Sequence, residues 1–489
     1  MSALPTRFDL TEPVPPAREL GRVHVLAVGG AGMSAVARLL LDEGVPVSGS
    51  DQADSPLLEA LRAQGAQVHV GHDAAHVRDV DTVVVSSAIP ETNVELAAAR
   101  AAGLRVLHRS QALASLMSTR TRVAVAGANG KTTTTAMLTV ALLHAGVDPS
   151  FAIGGELVEQ GVNARLGSGP VFVVEADESD GTFLAYRPDV AIITNVQPDH
   201  LDFYGDFDGV RRAYRLFAES IGTGGEEAVP PLLVTSADDD GARDLAQQRR
   251  STGADVLTFG FAADADVRLV DVVGEGLSGR ATLRVTDDPR LSALDGREVA
   301  VAAPGEHMLL DAVAALLAAV VGLGADLDGV LAGLAGYAGT RRRFEAKGEA
   351  GGVRVVDDYA HNPAKVAAVV AAGRQVTGEG RLVVCFQPHL YSRTRDFADR
   401  FADALSGADV VVLTDIYGAR EAPMPGVTSA LISDLLRAAG VEVHDVEGLE
   451  AATNTLDRLS RPGDLVLTVG AGSVTRVGPA LLSALQDRP

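Results

Sequence analysis

The sequence predicts an α/β protein of three domains, each built around a mainly parallel β-sheet. The chain has 489 residues, which is too long for one hydrophobic core and suggests roughly three domains of about 150 residues. Short runs of β-branched residues alternate with Ala/Leu-rich helical patterns, and this alternation is typical of βαβ units. The series restarts twice, so we place the domains at residues 1–119, 120–336 and 337–489.

Composition and charge narrow the class of protein. Hydrophobic residues make up 47% of the chain, enough for each domain to bury its own core. The formal net charge of −22 argues against a general nucleic-acid binder, because such proteins depend on clustered Lys and Arg. The single cysteine, Cys385, excludes an internal disulfide, and we find neither a signal peptide nor an apolar run of about 18 residues. We therefore expect a cytoplasmic protein that does not span a membrane.

The first domain begins with a strand, a glycine-rich turn and a helix. Its predicted strands lie in VHVLAV, VPVSGSD and VDTVVVSSAI, and its predicted helices in MSAVARLLLDEG, PLLEALRAQG and ELAAARAAG. Gly30, Gly32 and Ala35 have the spacing G-x-G-x-x-A, and Asp51 follows about 20 residues on, as in the Rossmann fingerprint for a dinucleotide. The same helix amides would accept any diphosphate, so NAD, UDP and a turn that only packs the helix on the strand all stay open.

The second domain carries a phosphate-binding loop that lacks one expected glycine. In VAVAGANGKTTTT, the Walker spacing G-x-x-x-x-G-K-[ST] requires a glycine where Val125 stands. Nucleotide phosphates and Mg²⁺ nevertheless need only curled backbone amides, a lysine and a hydroxyl. Gly127, Gly130, Lys131 and Thr132 supply these groups, so we expect a P-loop-type ATP-binding domain.

Carboxylates and a histidine follow the next strands of this domain. The predicted elements are strands in RVAVAGA, VFVVEADES, DVAIITNV, PLLVTS and VLTFGF, a β-rich stretch at about 266–301 and a helix at about 307–322. Glu175 directly follows an apolar strand, and we prefer it as a Mg²⁺ ligand over Asp177, Glu178 and Asp180. His200 follows the strand in DVAIITNV, where it could hold a second metal ion or only cap a turn. ATP together with a metal ion predicts phosphoryl transfer.

The third domain again alternates strands with helical patterns. Its predicted strands lie in VRVVDDYAHNP, RLVVCFQPH, ADVVVLTDIYG and DLVLTVGAGSV. This order predicts a second doubly wound, Rossmann-like sheet.

Motifs from all three domains together resemble one family. In chain order they are GGAGMSAVARLL, SSAIPETNVELAAAR, GANGKTTTT, EADESD, PDHLDFYGDF, GTRRRFE, DDYAHNP, FQPHLYSRTRDF and YGAREAPMPG. This series closely resembles the ATP-dependent Mur ligases, most of all their alanine-adding type, whose loop is similar to G-x-x-G-K-T and also lacks the upstream glycine. The resemblance implies that the lactyl carboxylate of UDP-N-acetylmuramate attacks the γ-phosphate of ATP. The amine of L-alanine would then displace phosphate from the acyl phosphate.

The resemblance also implies sites and partners. The substrates would be UDP-N-acetylmuramate, L-alanine and ATP, used with two Mg²⁺ ions or with Mn²⁺ instead, by a monomer or homodimer. The UDP-sugar residues would be Gly30, Ala31, Gly32, Met33, Ser34, Asp51, Ser86 and Ser87. The nucleotide residues would be Gly127, Ala128, Asn129, Gly130, Lys131, Thr132, Thr133, His307, Asp311 and Arg342. The catalytic residues would be Lys131, Glu175, His200, Arg343 and His361; the metal ligands Thr132, Glu175 and His200; and the amino-acid site Tyr359, His389 and Arg393.

Some positions depart from the commonest pattern of the family. The departures are Asn129, Met308, Asp311, Asn362, Leu390 and Ser473. Asp311 replaces an asparagine, and its carboxylate can accept a hydrogen bond from adenine but cannot donate one. Asn362 replaces a histidine, and we expect it to cap a helix that begins at Pro363.

Three other functions compete with this one. A nicotinamide-dependent oxidoreductase would use the Rossmann fingerprint of the first domain. A non-catalytic UDP-sugar sensor would bind its ligand without turnover. A ligase that recycles murein tripeptide is the nearest competitor, although GGAGMS and YGAREAPMPG favour the alanine-adding type.

Overall fold

The structure is a computed structural model that describes residues 6–10, 13–224, 229–275, 278–419 and 421–488. Arg420 of the YGAREAPMPG motif lies outside the described residues. The helices are α1 Ala31–Asp42, α2 Pro56–Ala63, α3 Val94–Ala101, α4 Arg109–Met117, α5 Lys131–His144, α6 Leu201–Tyr204, α7 Phe207–Glu219, α8 Asp240–Ser251, α9 Glu306–Leu317, α10 Leu327–Ala335, α11 Pro363–Thr377, α12 Tyr391–Leu405, α13 Ala430–Ala438, α14 Gly448–Leu459 and α15 Val477–Gln486.

The strands of the described chain form three sheets. The first contains β1 Val23–Leu26, β2 Val47–Asp51, β3 Gln67–Val70, β4 Thr82–Val85 and β5 Arg105–His108. The second contains β6 Thr121–Ala126, β7 Ser150–Ala152, β8 Ala164–Arg165, β9 Val171–Glu175, β10 Val190–Ile193, β11 Leu232–Ser236, β12 Val256–Gly260, β13 Val267–Glu275, β14 Ser278–Val285 and β15 Glu298–Val301. The third contains β16 Glu345–Ala350, β17 Val353–Asp358, β18 Leu382–Phe386, β19 Val410–Leu413, β20 Glu442–Asp445 and β21 Leu465–Val469.

The strand orders confirm the predicted α/β fold. The first sheet has the order β3-β2-β1-β4-β5 with parallel neighbours, as a Rossmann-like domain requires. The second has the order β15-β14-β13-β12-β11-β10-β6-β9-β7-β8, and its centre, β11-β10-β6-β9, is parallel. The third has the order β16-β17-β21-β18-β19-β20, in which the edge strand β16 is antiparallel and the rest are parallel.

The described chain divides into two compact units. The first unit contains the described residues of 1–272, Arg280–Val301 and His307–Ala338. The second unit contains the described residues of 273–279, Ala302–Glu306 and 339–489. The first two predicted domains lie in the first unit, because they share one hydrophobic core. This core includes Val25 and Leu39 from the first domain and Phe172 and Ile193 from the second.

Local sequence signals explain several elements. The predicted helix at 307–322 is α9, which continues as a π-helical turn over Ala318–Gly322. Asn362 caps α11 as predicted, because its side chain accepts a hydrogen bond from the Lys365 amide at 2.9 Å. Among the described residues, no helix has the length and apolar character that crossing a membrane requires.

Candidate active site

Three neighbouring strands of the second sheet bring the predicted nucleotide and metal residues to one edge. The order β10-β6-β9 puts the phosphate loop, defined as residues 127–130, after the middle strand. The acidic segment EADESD, residues 175–180, follows β9, and the segment with His200 follows β10. Carboxyl ends of parallel strands are where open α/β sheets bind their ligands, so the structure places these segments together as predicted.

The phosphate loop is tight even without its upstream glycine. Val125 lies inside β6, paired with Ile192 and Glu175, so the position that usually holds the glycine is part of a buried strand. Gly127 has a φ of 140°, and a Cβ there would lie 1.9 Å from the hydroxyl oxygen of Thr194. The Thr194 hydroxyl donates to the Asn129 carbonyl at 2.5 Å, which fixes the loop against the end of β10.

The helix after this loop presents its amino end to the strand edge. Gly130 caps α5 with a φ of 83°, and Lys131, Thr132 and Thr133 form the first turn. An amino end of this kind attracts phosphate through its free amides and its dipole. Ala128 is buried in the loop before it.

Lys131 is held by a buried ion pair. Its Nζ donates to the Gly127 carbonyl at 2.6 Å and to Glu178 at 2.9 Å, and the two charged side chains are only 14% and 2% exposed. Burial alone would lower the pKa of Lys131, but the neighbouring Glu178 carboxylate raises it above its usual value. The ammonium group therefore stays charged and points along the loop.

Two groups of oxygen and nitrogen ligands flank this lysine. In the first, Glu175 accepts hydrogen bonds from the Thr132 hydroxyl at 2.9 Å and from the Gly154 amide at 2.7 Å. In the second, ligand atoms of Glu178, Asp199 and His200 lie within 4.8 Å of one another. The sequence prediction preferred Glu175 over Glu178 as a ligand and placed Asp199 at this edge without assigning it a ligand role. The described side chains group His200 with Glu178 and Asp199. That Glu175 holds a metal ion stays a prediction.

His200 also has the backbone of a turn residue. It precedes α6 with a φ of 52°, and its Nε2 lies 3.9 Å from carboxylate oxygens of both Glu178 and Asp199. His200 thus lies at the start of a helix, as the interpretation as a turn cap requires, and beside carboxylates, as the interpretation as a metal ligand requires.

The predicted UDP-sugar residues gather at the carboxyl ends of β1, β2 and β4. The glycine turn, defined as residues 29–34, leads from β1 into α1, with Ala31, Gly32, Met33 and Ser34 in the first helical turn and Gly30 as its cap. Asp51 accepts a hydrogen bond from the Gly29 amide at 2.9 Å, which fixes this turn. The Ser86 carbonyl accepts from Arg7 at 3.1 Å, and the Ser87 hydroxyl donates to Asp180 of the acidic segment.

The predicted adenine residues lie on α9. His307 is exposed in its first turn, and Asp311 is buried beside the phosphate loop, with Oδ1 2.7 Å from the place where a Gly130 Cβ would lie. Burial raises the pKa of Asp311 to about 8. The expectation that Asp311 cannot donate a hydrogen bond is therefore wrong at neutral pH, because the protonated carboxyl group carries an O–H.

The remaining predicted residues cluster in the second unit, at the carboxyl ends of β17 and β18. The guanidinium carbons of Arg342 and Arg343 lie 4.8 and 5.5 Å from the ring centre of Tyr359. The rings of Tyr359 and His361 are 5.2 Å apart, and those of His361 and His389 are 5.8 Å apart.

The same cluster contains further groups with defined contacts. Arg393 donates to the His361 carbonyl at 3.3 Å, and Arg342 donates to the Gly470 carbonyl at 2.5 Å. Burial lowers the pKa of His361 to about 4, so its imidazole is neutral at pH 7. Sequence reasoning did not place Tyr417 in this cluster, although it is the first residue of the YGAREAPMPG motif; its ring stacks on that of His389 with the ring centres 5.8 Å apart.

Comparison with known proteins identifies the family. Three family models match in chain order: "Mur ligase family, catalytic domain" over residues 22–121, "Mur ligase middle domain" over 125–319 and "Mur ligase, glutamate ligase domain" over 342–472. The chain is 54% identical over 477 residues to a UDP-N-acetylmuramate–L-alanine ligase of Kineococcus radiotolerans, with 96% of this chain and 97% of that relative covered.

Solved structures give the same result. The crystal structure of a UDP-N-acetylmuramate-alanine ligase from Thermotoga maritima is similar with a TM-score of 0.77 and 29% identity, covering 95% of this chain and 99% of that one. A murein peptide ligase from Psychrobacter arcticus has a TM-score of 0.67 at 23% identity over 96% and 99% of the two chains, a likeness of fold alone. The chain belongs to the Mur ligase family.

Proposed function

We propose that this protein is an ADP-forming ligase that joins L-alanine to the lactyl carboxylate of UDP-N-acetylmuramate in the synthesis of peptidoglycan precursors. The similarity to the alanine-adding relatives supports the choice of both substrates. The glycine turn then serves a UDP diphosphate and not NAD. We further expect a cytoplasmic monomer or homodimer.

One observation carries this proposal: Lys131, Thr132 and Glu175 meet at the end of three parallel strands, around the amino end of α5. Phosphoryl transfer depends on positioning the phosphates and neutralising their charge, more than on covalent help from the protein. A charged lysine and free helix amides are suited to that task. The loop before them is held in place by Thr194.

The reaction then has two steps. A lactyl carboxylate oxygen attacks the γ-phosphorus of ATP, the bond from that phosphorus to the bridging oxygen breaks, and ADP leaves. The amine of L-alanine attacks the acyl carbon, its proton is lost, and phosphate leaves with the former carboxylate oxygen. In this scheme Lys131 binds the terminal phosphates, and residues 127–130 and Thr133 contribute backbone amides.

The donor set of the site suits a magnesium ion, because hydroxyl and carboxylate oxygens are the ligands that Mg²⁺ prefers. Thr132, Glu175 and His200 would hold two such ions, with Glu178 and Asp199 beside His200. When bound, Mg²⁺ or Mn²⁺ would neutralise phosphate charge. His307, Asp311 and Arg342 would contribute to nucleotide binding.

The amino-acid site would lie in the cluster at the carboxyl ends of β17 and β18. Arg393 is the partner we assign to the carboxylate of L-alanine, because its planar group matches a carboxylate. Tyr359 and His389 would line the site. Arg343 and the neutral His361 would act near the reacting carboxylate.

An isotope experiment tests this mechanism. UDP-N-acetylmuramate labelled with ¹⁸O in its lactyl carboxylate is turned over with ATP, Mg²⁺ and L-alanine, and the released phosphate is measured by ³¹P NMR. We expect one ¹⁸O atom in each phosphate. Unlabelled substrate in ¹⁸O-water is the control and should give unlabelled phosphate. Phosphate without label, with the lost carboxylate oxygen released as water instead, would contradict an acyl phosphate.

A further inference from the structure

Arg109 lies between the glycine turn and the acidic segment. It is the first residue of α4, directly after β5, and its side chain is 35% exposed. On one side, its Nη2 donates to Oδ2 of Asp177 at 3.0 Å. On the other side, its Nη1 lies 3.1 Å from the place where a Cβ on Gly32 would lie. One guanidinium group thus touches both the amino end of α1 and the segment that follows β9.

This contact places the Arg109 guanidinium close to the first turn of α1. A Cβ on residue 32 would lie 3.1 Å from Nη1, tighter than ordinary van der Waals contact, so the guanidinium would have to shift by a few tenths of an ångström. The glycine therefore lets this positive charge lie beside the amino end of α1. In a chain with a net charge of −22, a positive charge at this point favours the binding of an anion there.

Asp177 links this arginine to the lysine site through its neighbour in the chain. Its Oδ2 accepts from Arg109 at 3.0 Å, and the next residue, Glu178, is the buried ion-pair partner of Lys131. Because a guanidinium has five N–H donors in a planar fork, Arg109 can keep its bond to Asp177 and still donate to a second anion.

We propose that Arg109 is a binding residue for the diphosphate of the UDP-sugar and that Asp177 is the positioning residue that orients it. This inference rests on the proposed function, since it takes the glycine turn as the UDP-sugar site. Arg109 adds charge-assisted hydrogen bonds to those from the helix amides. Through Asp177, the same ion pair joins the diphosphate site to the loop that carries Lys131.

The test measures binding of two UDP-sugars by isothermal titration calorimetry in the absence of ATP. UDP-N-acetylmuramate and UDP-N-acetylglucosamine share the diphosphate, and only the first has a lactyl carboxylate. We expect Arg109→Met to weaken both by a similar factor of roughly 10- to 100-fold, the range of charge-assisted hydrogen bonds. Arg109→Lys keeps the charge without the fork, and we expect a smaller loss for both.

Two control variants separate binding from folding. Asp177→Asn removes the orienting carboxylate and should weaken binding less than Arg109→Met does. Arg100→Met breaks an exposed ion pair with Glu91 in the same domain and should leave both affinities unchanged. Unfolding temperatures of all variants show whether each is folded, and Arg109→Lys remains informative if Arg109→Met is not.

Each of the remaining outcomes would contradict one part of the proposal. An equal loss of UDP-sugar affinity in Asp177→Asn and Arg109→Met would mean that the ion pair between these residues has only a structural role. Loss confined to UDP-N-acetylmuramate would assign Arg109 to the lactyl carboxylate and overturn the diphosphate contact. Unchanged affinity in folded Arg109 variants would overturn the inference alone. Failure of the unaltered protein to bind either sugar would overturn the proposed function and this inference with it.

Discussion

At the scale of single residues, the site depends on a few charges held in defined states. Lys131 stays ionised because Glu178 is buried against it, and Asp311 takes up a proton because burial disfavours its charged form. The sequence identified Lys131 from its motif. Its preference for Glu175 among the four carboxylates of residues 175–180 stays a prediction, because the direction of each side chain depends on the path of the chain after β9.

Replacing Lys131 by alanine should abolish ADP formation and leave UDP-sugar binding intact. In the proposed function the lysine serves the phosphates, whereas the glycine turn lies on another sheet. Losing one such preorganised charge costs roughly 10²–10³-fold or more in rate. ADP release and calorimetric titration with UDP-N-acetylmuramate measure the two effects. Lys347→Ala, which removes another partly buried, ion-paired lysine, is the matched control.

The alanine also leaves Glu178 buried without its partner, which alone can destabilise the fold. The double variant Lys131→Ala/Glu178→Gln removes that cost, and the single variant Glu178→Gln shows how much of any lost activity belongs to Glu178 itself. Loss of UDP-sugar binding in this folded double variant would show that the assignment of the two sites to different domains is wrong.

Asp311→Asn should stabilise the protein more at pH 8.5 than at pH 5.5. The pKa of Asp311 is about 8 in the folded protein against an ordinary value of about 3.9. A raised pKa means that the folded state loses stability as the pH rises between these two values, and an amide has no such dependence. We expect a gain on the order of 1–3 kcal/mol at pH 8.5, measured by urea unfolding at both pH values. If the difference in unfolding free energy between Asp311→Asn and the unaltered protein is the same at both pH values, the assigned protonation is contradicted.

At the scale of elements, most interior strands were predictable and most of the missed strands lie at sheet edges. The exceptions are β7, a missed interior strand of three residues, and β15, an edge strand inside the predicted β-rich stretch. The apolar runs of β1, β4, β6, β9, β10, β18, β19 and β21 are fully or almost fully buried, and each was found in the sequence. The missed strands β3, β5, β16 and β20 lie at sheet edges, where side chains alternate between partial and full exposure. Such strands of four to six residues have no continuous apolar run to detect.

A buried carboxylate on α3 ties several elements of the first domain together. Glu95 is fully buried, with Nδ1 of His72 at 2.8 Å and Nδ1 of His76 at 2.6 Å, and it accepts from the Ser50 hydroxyl at 2.6 Å. Burial alone would raise the pKa of Glu95, but its contacts with His24, at 3.7 Å, and with Ser50 and His76 hold it well below its usual range. One carboxylate thus joins α3 to β1, β2 and the chain after β3.

Glu95→Gln should destabilise the protein by about 1.5–3 kcal/mol, since it removes the buried charge that several hydrogen-bond partners contact. Glu91→Gln is the control: Glu91 is 48% exposed in its ion pair with Arg100, so we expect about 1 kcal/mol or less. Thermal and urea unfolding give both values. Because the folded pKa of Glu95 is depressed, its stabilisation is present at neutral pH and is lost as the pH falls below about 4.3. Similar losses of unfolding free energy in Glu95→Gln and Glu91→Gln would show that the buried contacts of Glu95 add no stability.

At the scale of the whole molecule, the three-sheet architecture followed from sequence but the grouping of domains did not. Apolar residues that pack between the first two domains look the same in a sequence as those inside one domain. The shared core, which contains both Leu39 and Phe172, is therefore visible only in the structure. The boundaries near residues 119 and 337 stay a prediction.

The same limit applies to substrate choice. The series of motifs and the family models agree along most of the chain, yet in the proposed function only a few side chains around Arg393 would select the amino acid. A methyl group in a pocket is worth only ~1–3 kcal/mol, so we expect glycine and L-serine to be weak substrates.

The most direct measurement is ADP release by the purified protein with ATP, Mg²⁺ and UDP-N-acetylmuramate, in parallel reactions with L-alanine, glycine, L-serine and a tripeptide that contains L-Ala-D-Glu. We predict rapid release that requires L-alanine, weak release with glycine or L-serine, and none with the tripeptide. Preference for the tripeptide, or no ADP with any of the four, would contradict the proposed function.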